Sequence, residues 1–292
     1  MNWPNIIFIT VICITFLSII FYFIQDKLIF KPEKLPKDFI FEYENQDVEE
    51  YNFQLHNDVL INGLHFKTEN PKGVVFYLKG NSRSIKGWGK FAVDFTLHGW
   101  DVIMMDYRGF GKSKGKRTEQ TMKDDALLIY DKIKEKVDEK YIIIYGRSLG
   151  TGLATKVASM NKPRMLILAC PYFSISNNVK RYLPFLPTGL ILRFSMPTYK
   201  WMKYVDCPIK LIHGTNDKVI PMKSSIKLSK INPKRTRMYP IIDGGHKNLH
   251  NYPGYHRALD EILKSKPFED IDREKTSIAF ERSKRKRSVK NG

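Results

Sequence analysis

The apolar run Tyr141 to Tyr145 leads directly into Gly146-Arg147-Ser148-Leu149-Gly150, a junction that few folds tolerate. A buried strand that turns sharply into a helix leaves no room for side chains beside the turn, so glycines flank it and the residue at its apex is thrown clear of the sheet. That residue is Ser148. A serine hydroxyl is a weak nucleophile without a base to take its proton, so the junction carries chemistry only if an acid and a histidine follow in that order. Both do. Asp217 lies in His213-Gly214-Thr215-Asn216-Asp217 behind the apolar stretch Pro208 to Ile212, and His246 lies in Asp243-Gly244-Gly245-His246 behind Met238 to Ile242. Ser148, Asp217 and His246 are the candidate nucleophile, orienting acid and base.

The rest of the chain supplies a scaffold for such a site. Val48 to Leu55 and Val59 to Phe66 alternate apolar and polar residues around Asn57-Asp58, which predicts an antiparallel hairpin at a sheet edge. Gly73 to Leu78, Asp101 to Met105, Tyr141 to Tyr145, Met165 to Ala169, Ile209 to Ile212 and Met238 to Ile242 are short continuous apolar runs, as expected of parallel strands covered on both faces. Between them, Thr118 to Val137 reads as an amphipathic helix. Thr118 is its cap, and Met122, Ala126, Ile129, Tyr130, Ile133 and Val137 lie on one face. The expected fold is α/β, a doubly wound, mostly parallel sheet with chemistry at the carboxyl ends of its strands. A chain of 292 residues with 42% hydrophobic content can bury such a core.

The ends differ from this middle. Ile6 to Ile24 carries no charge, and at about 1.5 Å per residue it nearly matches a hydrocarbon core of roughly 30 Å. Nothing basic precedes it and no small-residue cleavage site follows, so residues 1–25 are expected to be an uncleaved single-pass anchor rather than a signal peptide. Lys27, Lys31, Lys34 and Lys37 follow the segment, which places the larger part of the chain in the cytoplasm. Residues 26–47 read as a linker, 48–266 as the enzymatic domain and 267–292 as a basic, disordered tail containing Arg282, Lys284, Arg285, Lys286 and Arg287. The net charge of +19 suits a solubilising surface or apposition to an anionic membrane. No aromatic and basic platform accompanies it, which argues against nucleic acid.

Two rival motifs fail. Gly109-Phe110-Gly111-Lys112-Ser113 ends like a phosphate-binding loop, but the required first glycine is Asp106, leaving a glycine-rich turn. His246 and His250 are spaced like zinc ligands, but the glutamate of that motif is missing, and His246 is preferred as the base because it directly follows the tight Gly244-Gly245 turn. Cys13, Cys170 and Cys207 show neither disulfide nor zinc spacing. No metal or organic cofactor is expected.

Tyr77-Leu78-Lys79-Gly80-Asn81, Asp106-Tyr107-Arg108-Gly109-Phe110-Gly111, the Ser148 turn, His213 to Pro221 and Gly244-Gly245-His246 together resemble the α/β-hydrolase superfamily, and within it the Bem46-like group of membrane-anchored serine hydrolases. The similarity runs from about Gly63 to Lys264. It implies Ser148 as nucleophile, His246 as base, Asp217 as its orienting acid, and an oxyanion hole from the backbone N–H groups of Asn81 and Leu149. Many members carry His-Gly where this chain has Lys79-Gly80. The lysine either replaces a structural histidine without consequence or brings positive charge toward the pocket mouth and favours anionic substrates.

Substrate preference falls to Pro171 to Asp206, a stretch too long for a simple crossover, rich in large apolar residues and broken by Pro184, Pro187 and Pro197. It reads as a short helical lid that presents Phe185, Leu186, Ile191 and Leu192 toward a membrane surface, or as the ordinary covering of a crossover. The expected activity is cleavage of an ester or thioester of an acylated or lipid-like substrate through an acyl-enzyme. A serine peptidase acting on short peptides is the alternative within the class, and a non-catalytic membrane-tethered binding scaffold is the alternative outside it.

Overall fold

The structure, a computed structural model, describes residues 3–56 and 58–265. Eight strands form one sheet: β1 (Asp47–His56), β2 (Val59–Lys67), β3 (Val74–Leu78), β4 (Asp101–Met105), β5 (Ile142–Arg147), β6 (Met165–Ala169), β7 (Ile209–Gly214) and β8 (Thr236–Ile241). Their order is β1-β2-β4-β3-β5-β6-β7-β8. The first two pair antiparallel through a register centred on Tyr51 opposite Gly63, β2 runs antiparallel to β4, and the remaining pairs are parallel. Every side chain of β3, β5 and β6 is buried, which is why these strands are unbroken apolar runs instead of alternating ones.

The helices are α1 (Trp3–Ile29), α2 (Ile85–Trp88), α3 (Val93–Thr96), α4 (Glu119–Lys134), α5 (Gly150–Ala158), α6 (Ile175–Tyr182), α7 (Thr188–Ile191), α8 (Thr198–Trp201), α9 (Lys223–Ser229) and α10 (Pro253–Lys264). One face of the sheet is covered by α4, α5 and α9 through Met122, Ile129, Leu153, Val157 and Leu228. The other is covered by α2, α3 and α10 through Ile85, Phe95, Leu259 and Ile262. Thr118 caps α4 in a reciprocal pair with Thr121, its hydroxyl accepting from the Thr121 N–H at 3.0 Å and its own N–H donating to the Thr121 hydroxyl at 2.9 Å, an arrangement worth about 1 kcal/mol. The helix stops at Lys134, short of the expected Val137, which still packs against the core from the turn beyond.

Helix α1 is long and apolar enough to cross a membrane. It continues past residue 25 to Ile29, and the segment after it is bonded to the domain. Backbone bridges join Lys31 to Ser82 and Lys34 to Gly111, and Phe30 and Phe41 are buried. Residues 267–292, expected to form a basic disordered tail, lie outside the described residues, as does Asn57 of the hairpin turn.

Candidate active site

Ser148 stands where β5 turns into α5. Its φ of 51° is the left-handed conformation that a non-glycine residue adopts only when its surroundings impose it. Two features impose it here. The Ser148 N–H is committed to the Ala169 carbonyl at 3.0 Å, and α5 begins so close to β3 that a Cβ at Gly150 would fall on the Leu78 carbonyl oxygen.

Asp217 and His246 come from the ends of β7 and β8, beyond the intervening β6. The loops after β7 and β8 touch at Gly214, where a Cβ would strike the Gly244 carbonyl, and are sewn together by Thr215 N–H to Ile241 O at 2.9 Å and Asn216 N–H to Gly244 O at 3.0 Å. This contact sets the relay. His246 Nε2 lies 2.9 Å from Ser148 Oγ, and His246 Nδ1 lies 2.7 Å from Asp217 Oδ2. The other Asp217 oxygen accepts from the N–H groups of Val219 at 2.9 Å and Ile220 at 2.8 Å. Burial works against the Asp217 charge, but hydrogen bonds from His213, His246 and the Ile220 N–H outweigh it and hold the carboxyl well below the usual carboxylate range. Asp217 is thus an anion aimed at Nδ1, which leaves Nε2 as the ring nitrogen facing the Ser148 hydroxyl.

His213 is a contributor that its place in the Asp217 motif hinted at without revealing its role. Fully buried, its Nε2 lies 2.8 Å from the Ile220 carbonyl and 3.4 Å from Asp217 Oδ2, and its Nδ1 lies 2.6 Å from Ser225 Oγ. It fixes the turn that presents Asp217. Cys170 lies in the same cluster, with its sulfur and one atom each of Asp217 and His246 all within 4.8 Å of one another. Burial pushes its thiol up to about 12, so it stays neutral beside the carboxylate, and the Asp217–His246 bond already occupies the two groups that would join it in holding a metal. His250 does not reach Ser148; its ring packs edge-on against Phe91 at 4.7 Å.

Leu149 follows Ser148 at the mouth of α5, where a helix leaves its first N–H groups without internal partners. The loop bearing Asn81 abuts the serine: a Cβ on neighbouring Gly80 would stand 3.7 Å from Ser148 Cβ. Asn81, Gly80, Ser148 and His246 share one crevice of about 360 Å³, whose walls also include Trp88 and Phe91. Its cations are Arg83, Lys90, Arg147 and Lys247, and no carboxylate is among its lining residues.

Lys79 is not among those cations. It is fully buried beneath the Asn81 loop, 3.3 Å from the equally buried Asp106, and donates to the Arg83 carbonyl at 3.1 Å. Burial pulls the lysine down and the aspartate up, each restrained by the other's charge. The lysine therefore takes a structural place under the loop, and positive charge at the crevice comes from Arg147 of the Ser148 motif and from Arg83, Lys90 and Lys247.

The lid region holds α6, α7 and α8. Contrary to the expectation for its surface, Leu186 is buried, because the turn Leu183–Leu186, which contains Pro184 and precedes Pro187, points it inward while Phe185 points out. Tyr182, Phe185 and Leu190 are exposed apolar residues from the end of α6 to the end of α7, and Ile191 and Leu192 are half-buried.

Residues 69–206 match the Hydrolase_4 family model, described as serine aminopeptidase, S33. Among curated proteins, the chain is 32% identical over 225 residues to the lysophosphatidylserine lipase ABHD12 of Xenopus tropicalis, covering 65% of this chain and 57% of that protein. It is 26% identical over 235 residues to the Danio rerio protein of the same name, covering 68% and 60%. The chain thus spans under two thirds of the length of these relatives. Among solved structures, the Pyrococcus furiosus esterase Pf2001 superposes with a TM-score of 0.65 at 17% identity, over 80% of this chain and 98% of that one. A thioesterase domain from the curacin biosynthetic pathway does so with a TM-score of 0.55 at 15% identity, over 75% and 100%.

Proposed function

We propose that the chain is a member of the α/β-hydrolase superfamily, whose family model and relatives it resembles, and a serine hydrolase cleaving an ester or thioester of an acylated, lipid-like substrate. The observation that carries the reading is the continuous relay from Ser148 through His246 to an ionised Asp217. His246 Nε2 takes the Ser148 proton as Oγ attacks the acyl carbon. The carbonyl oxygen, now negative, is met by the N–H groups of Leu149 and Asn81, donors worth roughly 3 to 4 kcal/mol each. Collapse expels the alcohol or thiol, which takes the proton back from His246, and the same steps with water release the acid and restore Ser148.

The crevice favours a substrate with an anionic group beside the scissile ester, since four cations line it without a carboxylate. The curated relatives are named for a lysophospholipid of that kind, which supports the same choice. The description of the matching family favours a second reading, a peptidase on short peptides. Purified full-length protein incubated with a fluorophosphonate probe is expected to label at Ser148, and Ser148→Ala to lose both label and turnover. Turnover of a lysophospholipid with an anionic headgroup should exceed that of its choline counterpart. Labelling of the alanine variant would sink the assignment; peptide turnover without ester turnover would promote the second reading. Absence of both label and turnover would leave a binding scaffold.

The same reading makes α1 an uncleaved single-pass anchor, with the catalytic domain on the cytoplasmic side and its basic surface held near anionic headgroups. Carbonate-washed membranes should retain the protein with its N-terminal segment intact by mass spectrometry. Protease added outside intact cells should spare the domain. A soluble product starting near residue 25 would show a signal peptide instead.

A further inference from the structure

The end of the apolar helix and the chain just beyond it are bonded to the loop that carries Asn81. The Asn81 side-chain amide donates to the Ile29 carbonyl at 2.5 Å. The Lys31 N–H donates to the Asn81 carbonyl, and the Arg83 N–H to the Lys31 carbonyl, both at 2.9 Å. The Glu33 carboxylate accepts from the Ser84 hydroxyl at 2.9 Å and from the Ser84 N–H at 3.2 Å. Although partial burial raises it, the bonds from Ser84 with nearby Lys86 and Arg83 hold that carboxyl below its usual range. Two more bonds, Gly111 N–H to Glu33 O at 2.7 Å and Leu35 N–H to Gly111 O at 3.0 Å, stitch the same strap to the loop after β4. From beneath, Lys79 and Asp106 hold the Arg83 carbonyl and the Ile85 N–H. None of these bonds uses the Asn81 N–H.

We propose that Ile29–Glu33 is a positioning segment of the active site: the membrane-proximal strap sets the loop whose Asn81 N–H receives the oxyanion, so the anchor is mechanically part of the catalytic apparatus as well as its tether. The proposal rests on the hydrolase reading. A donor fixed before reaction stabilises the developing charge without reorganising, and a loop with an αL residue, Arg83 at φ 55°, needs contacts on both sides to hold it there. The strap supplies the upper side. Burial of Phe30 between Phe194 and Phe110, at ring separations of 4.8 and 6.4 Å, under the Arg117 guanidinium, fixes where the strap leaves the helix. One turn earlier, Gln25 is wholly buried and grips the lid, donating to the Ile191 carbonyl at 3.0 Å and accepting from the Arg193 N–H at 2.8 Å. The same helix end therefore touches both the Asn81 loop and the lid.

The contacts at Lys31 are made by its backbone, which permits a discriminating test in the full-length, membrane-embedded protein. Lys31→Pro removes the N–H and should lower kcat for a p-nitrophenyl ester roughly tenfold or more, with KM within about twofold. Lys31→Ala keeps the N–H and should leave both constants near wild type. Glu33→Ala, which removes only a side chain and tests the strap independently should the proline variant fold poorly, should also lower kcat at nearly constant KM. Folded Lys31→Pro and Glu33→Ala proteins with wild-type kcat would overturn the proposal and leave the hydrolase reading standing. An equal loss in Lys31→Ala would overturn it too. A wild-type protein with neither ester turnover nor probe labelling would overturn both.

Discussion

The Asn81 loop, which lines the Ser148 crevice, and the lid, which contributes none of the residues lining it, are built on opposite principles. The loop is short and saturated with bonds: Ser82, Arg83, Ser84 and Ile85 each give or accept main-chain hydrogen bonds to partners above or below it. The lid, Pro171 to Asp206, is broken by three prolines into helices of eight residues or fewer and exposes Tyr182, Phe185 and Leu190 to solvent. Its ties are few and specific. The Glu119 carboxylate accepts from the N–H groups of Ser195 and Met196 at 2.6 and 3.0 Å, the Tyr172 hydroxyl donates to the Leu149 carbonyl at 3.0 Å, and Gln25 clasps the segment after α7. A group that must meet a developing charge gains from rigidity, because reorganisation would consume the stabilisation it offers. A surface that must accept acyl chains gains from adaptability. On the proposed hydrolase reading, rate falls to the Asn81 loop and selectivity to the lid.

The largest effect belongs to the relay of Ser148, His246 and Asp217. Asp217→Asn keeps the shape of the site, and through loss of the correct His246 tautomer should lower kcat by about 10⁴ with little change in melting temperature. Stopped-flow or steady-state kinetics on the folded variant measures it. A loss below tenfold would mean that Asp217 does not orient the histidine, and the bond geometry would need another explanation.

A sharper probe of the rigid loop is the ion pair beneath it. Asp106→Ala leaves the Lys79 ammonium fully buried opposite a void, and breaking such a pair costs about 3 to 5 kcal/mol. Urea unfolding should show that loss, and ester turnover should fall with it because the loop loses its floor. Lys79→Met with Asp106→Asn, which removes both charges, should recover most of the stability. If Asp106→Ala unfolds like wild type, the loop is held by the strap alone.

The sheet and relay were legible because their causes are local. Continuous runs such as Ile142 to Ile144 mark strands buried on both faces, and Gly150 and Gly214 mark close approaches of backbone to backbone. Residues 26–47 read as a linker for the opposite reason. The strap is joined to the domain largely through N–H and carbonyl groups, which leave no signature in residue type, and its side-chain contacts, Glu33 with Ser84 and Phe30 with Phe110 and Phe194, link positions far apart in the chain. Lys79 was ambiguous because its environment depends on Asp106, supplied by a different strand end. The cations of the crevice come from the chain after β3, the end of β5 and the loop after β8, and meet only once the chain is folded. In the lid, alternation gave no guide to direction: between two prolines, neighbours Phe185 and Leu186 point oppositely.

That last pair supplies the smallest effect and the cleanest test of the adaptable lid. Phe185 and Leu190 are exposed, the latter 88%, whereas Leu186 is 4% exposed. If the outer face of the lid meets lipid, apolar side chains there stabilise docking at a surface and aid access of an acyl chain from the bilayer. Phe185→Ser with Leu190→Ser should then lower turnover of long-chain esters on anionic vesicles several-fold, leave acetyl ester turnover and the melting temperature near wild type, and lose its effect as salt screens the basic surface from the vesicle. Leu186→Ser should behave differently, destabilising the fold by about 2 to 4 kcal/mol and reducing turnover of both chain lengths alike. Chain-length profiles of the two variants, measured side by side on vesicles and in detergent, separate a docking surface from core covering. Equal losses for long and short chains in the exposed double variant would reduce the lid to a structural cover and return selectivity to the cationic crevice alone.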